Sequence, residues 1–140
     1  MKKFEIVFDC PASEKRIAEL HQNLADAGQA LRKDECDVFL LSVVSSEGTM
    51  TAGCKGEVAF KSAHISELWV DQRHRGEGLG SELIRSAEKH AIEKGCIRLH
   101  LETRNEKARE LYERLGYSVF GSLPNYEAEN TFYYLEKRLD

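Results

Sequence analysis

Apolar and polar positions change period several times along the chain, and each change marks an element. Residues 2–9 carry Phe4, Ile6 and Phe8 on one side of an extended period, which predicts a strand. Ile17, Leu20, Leu24, Ala27 and Leu31 then fall at helical spacing, between Pro11 and the polar pair Lys33-Asp34. Residues 38–44 are an apolar, β-rich run, and Ser45-Ser46-Glu47-Gly48 reads as a turn. A hairpin into residues 49–54 follows, continued by 57–60 beyond Gly56, and residues 62–70 form the next strand. Leu79, Leu83, Ile84, Ala87 and Ala91 share one face of a second helix that ends at Gly95, a favourable residue just past a helix end. Residues 96–102 alternate Ile97, Leu99 and Leu101 with Arg98 and His100, a half-exposed strand. A third helix runs from near Asn105 to before Gly116, and residues 117–123 and 131–139 close the chain as strands. This order predicts a mixed sheet with helices on both faces.

Length changes the picture little: 140 residues suit one domain, 1–140, with a single core. Charge changes it more. A net charge of −4 gives no concentrated basic surface for nucleic acid and is compatible with cationic substrates. No apolar stretch approaches a membrane span and no secretory signal opens the chain, so a cytoplasmic protein without membrane contact is expected. Cys10, Cys36, Cys54 and Cys96 are scattered, with no paired cysteines and no histidine at metal spacing, so no metal site is expected.

The stretch Arg75-Gly76-Glu77-Gly78-Leu79-Gly80-Ser81 carries the chemistry. It stands between a predicted strand and a predicted helix, where glycines let backbone N–H groups approach an anion. It is not a Walker loop, because Gly80-Ser81-Glu82 lacks the phosphate-binding lysine. Nor is it a dinucleotide fingerprint, because its glycines are spaced G-x-G-x-G and no second mononucleotide unit follows.

Gln72-Arg73-His74-Arg75-Gly76-Glu77-Gly78 resembles the Q/R-x-x-G-x-G/A signature of the GNAT acyltransferase superfamily. Downstream, residues 105–117 are similar to that family's N-x-x-A-x-x-L-Y-x-x-x-G-Y/F segment, with Asn105, Ala108, Leu111, Tyr112, Gly116 and Tyr117 in the specified places. The close resemblance covers residues 65–117. It implies an α/β (α+β) fold with a mixed, mostly antiparallel central sheet whose fourth and fifth strands splay apart. Acetyl-CoA, the acyl donor implied by the family, would lie in that gap. Backbone groups around Leu68 and Val70 would pair with its pantetheine. The N–H groups of Arg75, Gly76, Gly78, Leu79, Gly80 and Ser81 would hold its pyrophosphate.

The resemblance also implies that the Tyr112 hydroxyl protonates the leaving thiolate; its residue type and helix face suit a core tyrosine equally well. Asn105 is a preferred helix cap and, by resemblance, a CoA contact. Glu67 is the candidate base or a substrate-orienting carboxylate, with Glu57, His64 and Glu102 as competitors. Trp69 fits either the acceptor pocket or the core. The expected activity is N-acetyl transfer to a primary amine, of a small molecule, by direct attack in a ternary complex. The alternatives are a protein lysine or N-terminal acetyltransferase and a CoA-binding module without turnover. Thr131-Phe132-Tyr133-Tyr134-Leu135 suits a homodimer strand or a buried terminal strand.

Overall fold

The computed structural model describes residues 4–31 and 35–140, and the chain divides into two compact units, Met1–Glu35 and Cys36–Asp140. The first unit contains helix α1, Glu14–Asp26, capped by the Ser13 side chain, which accepts from the Arg16 N–H. The helix stops earlier than the apolar spacing predicts, leaving Leu31 outside it. Gly28 is the reason. At φ +73° it takes the left-handed conformation, and the Gly28 and Gln29 N–H groups turn back to the carbonyls of Ala25 and Leu24. The strand expected over residues 2–9 does not form between residues 4 and 9. Among the described residues of its unit there is no second extended segment, so its backbone groups have no ladder to join. Lys2 and the Lys33-Asp34 pair lie outside the described residues.

The second unit is a six-stranded sheet in the order β1-β2-β3-β4-β6-β5. The strands are β1 Cys36–Val44, β2 Met50–Ala59, β3 Ser62–Val70, β4 Arg98–Thr103, β5 Ser118–Glu127 and β6 Asn130–Arg138. All pairs are antiparallel except β3 with β4. Helix α2, Leu79–Glu93, follows β3, and helix α3, Glu106–Arg114, follows β4. Both helices end at predicted glycines, Gly95 and Gly116. The core gathers Leu83, Ile84, Ala87 and Ala91 of α2 with Leu99 and Leu101 of β4 and Leu135 of β6.

Two departures from regular sheet position the site. Parallel pairing of β3 with β4 covers only Ser62–Arg98, Ala63–Leu99 and His64–His100, after which the strands part. These are the strands the resemblance calls the fourth and fifth. The second departure is a bulge at Ser66. Lys55 pairs with Glu67, but Gly56 pairs with Ile65, so β3 carries one extra residue. The extra residue reverses which face each following side chain takes. Ala63 and Ile65 are buried before it, while Leu68 and Val70 pack against the core after it and Glu67 and Trp69 are exposed.

A half-buried polar contact fixes the far end of α3. The Tyr117 hydroxyl donates to Glu88 of α2 at 2.8 Å, and Lys137 of β6 donates to the same carboxylate at 3.1 Å. Burial, then the bond to Glu88, drives the Tyr117 hydroxyl well above the usual tyrosine range, so the bond always carries its proton.

Candidate functional site

The parting of β3 and β4 opens a cleft of about 1090 Å³, lined by Glu67, Tyr112, Asn105 and the residues expected to contact the acyl donor, while Glu57, His64 and Trp69 stand outside it. Its walls are built by β3, the glycine loop with the start of α2, the end of β4, and one face of α3.

The loop is shaped by backbone conformation. Gly76 and Gly78 stand at φ +83° and +82°, in the left-handed region that side chains with a Cβ rarely adopt. A Cβ at either would meet no protein atom within 4 Å, so both face open space. Gly78 is the N-cap of α2 and supplies no side-chain cap. The first intrahelical bond runs from the Glu82 N–H to the Gly78 carbonyl at 3.0 Å. The N–H groups of Leu79, Gly80 and Ser81 precede it and therefore have no acceptor within the helix. They point a positive helix end into the cleft, a fit for a phosphate. Arg75 lines the cleft too, but its Nε donates to the Val70 carbonyl at 3.2 Å, tying the loop to the end of β3.

On the opposite wall, Asn105 caps α3: its side chain accepts from the Ala108 N–H at 3.0 Å, and its own N–H donates to Thr103 Oγ1 at 3.0 Å. Tyr112 is only 7% exposed and its ring meets Tyr117 edge-on at 6.3 Å. Among the described residues none hydrogen-bonds its hydroxyl, yet no side-chain polar atom is both buried and unpaired. The hydroxyl is therefore reachable from the cleft. Burial, then the neighbouring Cys54 and Glu102, push it up to about 12, so it holds its proton at neutral pH. The Cys54 thiol is itself pushed up to about 11 by burial and stays protonated.

Between these walls, Leu68 and Val70 of β3 present the strand edge freed by the splay, and Glu67 stands beside them. Among the described residues no group pairs with the Glu67 carboxylate. Glu102 enters from β4. Its two oxygens each lie 2.9 Å from His64 Nε2, while His64 Nδ1 lies 2.7 Å from Glu57 Oε1. Glu57 and His64 do not line the cleft; Trp69 does not either and is 48% exposed. His64, His100 and Glu102 offer three ligand atoms within 4.8 Å of one another. The two rings are stacked at 4.7 Å and only 18° from parallel, so their in-plane lone pairs do not converge on one point. The group suits proton sharing.

Beyond Arg75, the cations of this cleft were not foreseen from the sequence. Arg104, Lys107 and Arg114 line it together with His74 and Arg75, against two acidic groups, Glu67 and Glu102. Lys107 and Arg114 are two helical turns apart and so share a face of α3 with Leu111, a spacing visible in the sequence. Arg104 is also held by Glu127. Among the described residues, the cleft thus combines helix N–H groups without an intrahelical acceptor, a cationic rim, the part of β3 beyond its pairing with β4 and a protonated tyrosine.

A family model described as the Acetyltransferase (GNAT) family matches residues 4–117. Blasticidin-S acetyltransferase of Streptomyces morookaense is 34% identical over 131 residues, spanning 89% of this chain and 96% of that one. The crystal structure of an acetyltransferase from Bacillus cereus superposes with a TM-score of 0.83 at 25% identity, over 96% of this chain and 97% of its own. An aminoglycoside 6′-N-acetyltransferase complexed with coenzyme A shares the fold, with a TM-score of 0.66 at 16% identity over 95% of each chain.

Proposed function

The chain belongs to the acetyltransferase (GNAT) family and is an N-acetyltransferase, and we propose that it carries acetyl from acetyl-CoA to the primary amine of a small molecule by direct attack in a ternary complex. One observation carries this reading. The unpaired N–H groups of α2, the freed edge of β3 and the available hydroxyl of Tyr112 all open into one cleft. The blasticidin-S acetyltransferase of matching length supports a small-molecule acceptor.

Bound acetyl-CoA supplies a thioester carbonyl and a thiolate leaving group. The chain's residues divide the remaining work. The main chain from Gly76 to Ser81 holds the pyrophosphate, aided by the basic rim. Leu68 and Val70 offer backbone groups to the pantetheine amides. Glu67 accepts the proton that the acceptor's ammonium must lose before its nitrogen can attack. Tyr112 gives its proton to the sulfur as the carbon–sulfur bond breaks, and its raised pKa keeps that proton available. Asn105 holds the start of α3, and hence Tyr112, in place.

Glu67→Gln is expected to lower kcat/KM for the amine about tenfold, less than a lone general base would lose because Glu102 lines the same cleft. Binding of acetyl-CoA should be unchanged. Initial rates of CoA release, with calorimetry for the donor, test both halves. Full catalytic efficiency in a folded Glu67→Gln enzyme would remove Glu67 from the proton path.

A further inference from the structure

Glu57, His64 and Glu102 form a row across three neighbouring strands. Glu57 of β2 is paired in register with His64 of β3, and His64 is paired with His100 of β4, two residues before Glu102. The side chains of Glu57, His64 and Glu102 are 29%, 25% and 27% exposed. Only Glu102 reaches the cleft.

The geometry constrains the proton count. Both ring nitrogens of His64 lie within hydrogen-bond distance of a carboxylate, at 2.7 Å and 2.9 Å. A neutral imidazole has one N–H and can donate to one of them; only the imidazolium donates to both. Burial opposes that charge, but the hydrogen bonds to Glu57 and Glu102, with their negative charges, outweigh it and raise the ring above the ordinary histidine value. The stacked His100 moves the other way. Burial, then the charge of His64, lower it against the weaker pull of Glu102 and of Glu136 from β6, with Arg98 of β4 adding to the lowering. His64 is thus the charged ring of the pair.

We infer that His64, held from behind by Glu57, is a positioning residue for acetyl transfer: its imidazolium fixes the Glu102 carboxylate in the cleft, where it meets the acceptor's ammonium. This rests on the amine-acetylation reading. When the ring loses its proton, the shorter bond keeps the remaining N–H on Glu57. The Nε2 lone pair then faces Glu102 and repels it. Acceptor recognition is therefore intact below the pKa of His64 and declines as pH rises through it.

Two readouts test this. In the ligand-free protein, the His64 Cε1–H followed by NMR should titrate above about 6.5, the ordinary histidine value. Glu57→Gln should lower that pKa by about one unit or more, because an opposite charge in contact is lost. In kinetics at saturating acetyl-CoA, kcat/KM for the amine should fall on the alkaline side in the wild type, and Glu57→Gln should move that fall to lower pH in step with the NMR titration. His64→Gln keeps a neutral donor and should abolish the fall. His64→Ala should lower kcat/KM for the amine about tenfold with the KM for acetyl-CoA unchanged. A wild-type His64 that titrates at or below the ordinary value overturns the inference. So does an alkaline limb that neither Glu57→Gln nor His64→Gln moves. If no amine is acetylated, the functional reading fails by itself, while the NMR titration still decides whether His64 bridges the two carboxylates as a cation.

Discussion

Tyr112→Phe is expected to lower kcat for acetyl transfer by on the order of a hundredfold or more, with little change in the KM for acetyl-CoA. The substitution is a clean one. The Tyr112 ring is buried and packs edge-on against Tyr117, and phenylalanine preserves that packing. Among the described residues none bonds the hydroxyl, so its removal leaves no orphaned partner. What disappears is a proton donor facing the cleft. The tyrosine is pushed up to about 12, so it stays protonated through pH 10, and a loss of rate between neutrality and pH 10 does not come from it. Single-turnover kinetics isolate the chemical step. A well-folded Tyr112→Phe enzyme with an unchanged chemical step would reduce the residue to packing.

Gly78→Asp is expected to raise the dissociation constant for CoA about a hundredfold or more, since like charges brought together cost several kcal/mol. Gly78 stands at φ +82° at the start of α2, and a Cβ there meets no protein atom within 4 Å. The new side chain therefore disturbs no packing, and because Gly78 lines the cleft its charge stands beside the proposed phosphate site. Its left-handed backbone costs the fold about 1 kcal/mol. A carboxylate on this loop repels a phosphate held by the neighbouring main-chain donors. Gly78→Ala introduces the backbone strain without the charge and should lose far less affinity. Calorimetric titration of both variants with CoA separates the two effects. Unchanged affinity in a folded Gly78→Asp protein would remove the loop from the donor site.

Features set by short-range rules were legible in the sequence. Gly95 and Gly116 mark the ends of α2 and α3 because their capping geometry is local, and the glycine loop is recognisable because its backbone conformation depends on its own residues. The strand over residues 62–70 could be read, but not its bulge. Strict alternation puts Glu67 on the buried face with Ile65, and only the extra residue at Ser66 turns it outward. The apolar alternation of residues 2–9 predicted a strand, but among the described residues of its own unit there is no second strand for it to pair with. The charge of the cleft was hidden for a different reason. The chain carries −4 overall, yet the loop, the end of β4 and α3 collect basic residues from distant positions around one opening. Glu57, His64 and Glu102 were each visible as ionisable groups. Their convergence was not, because His64 and Glu102 lie 38 residues apart and meet only through the parallel pairing of β3 with β4.

The most direct test of amine acetylation is the product itself. The protein is incubated with acetyl-CoA and a broad panel of amines, alcohols and anionic compounds, CoA release is followed, and each product is identified by mass spectrometry and NMR. The expected result is an N-acetylated small primary amine, formed in equal amount with the CoA released, at a rate that rises from acidic pH as the amine loses its proton and falls with added salt. Acetyl-CoA that binds without acetylating any amine, or a best acceptor that is a hydroxyl or anionic compound, would contradict it.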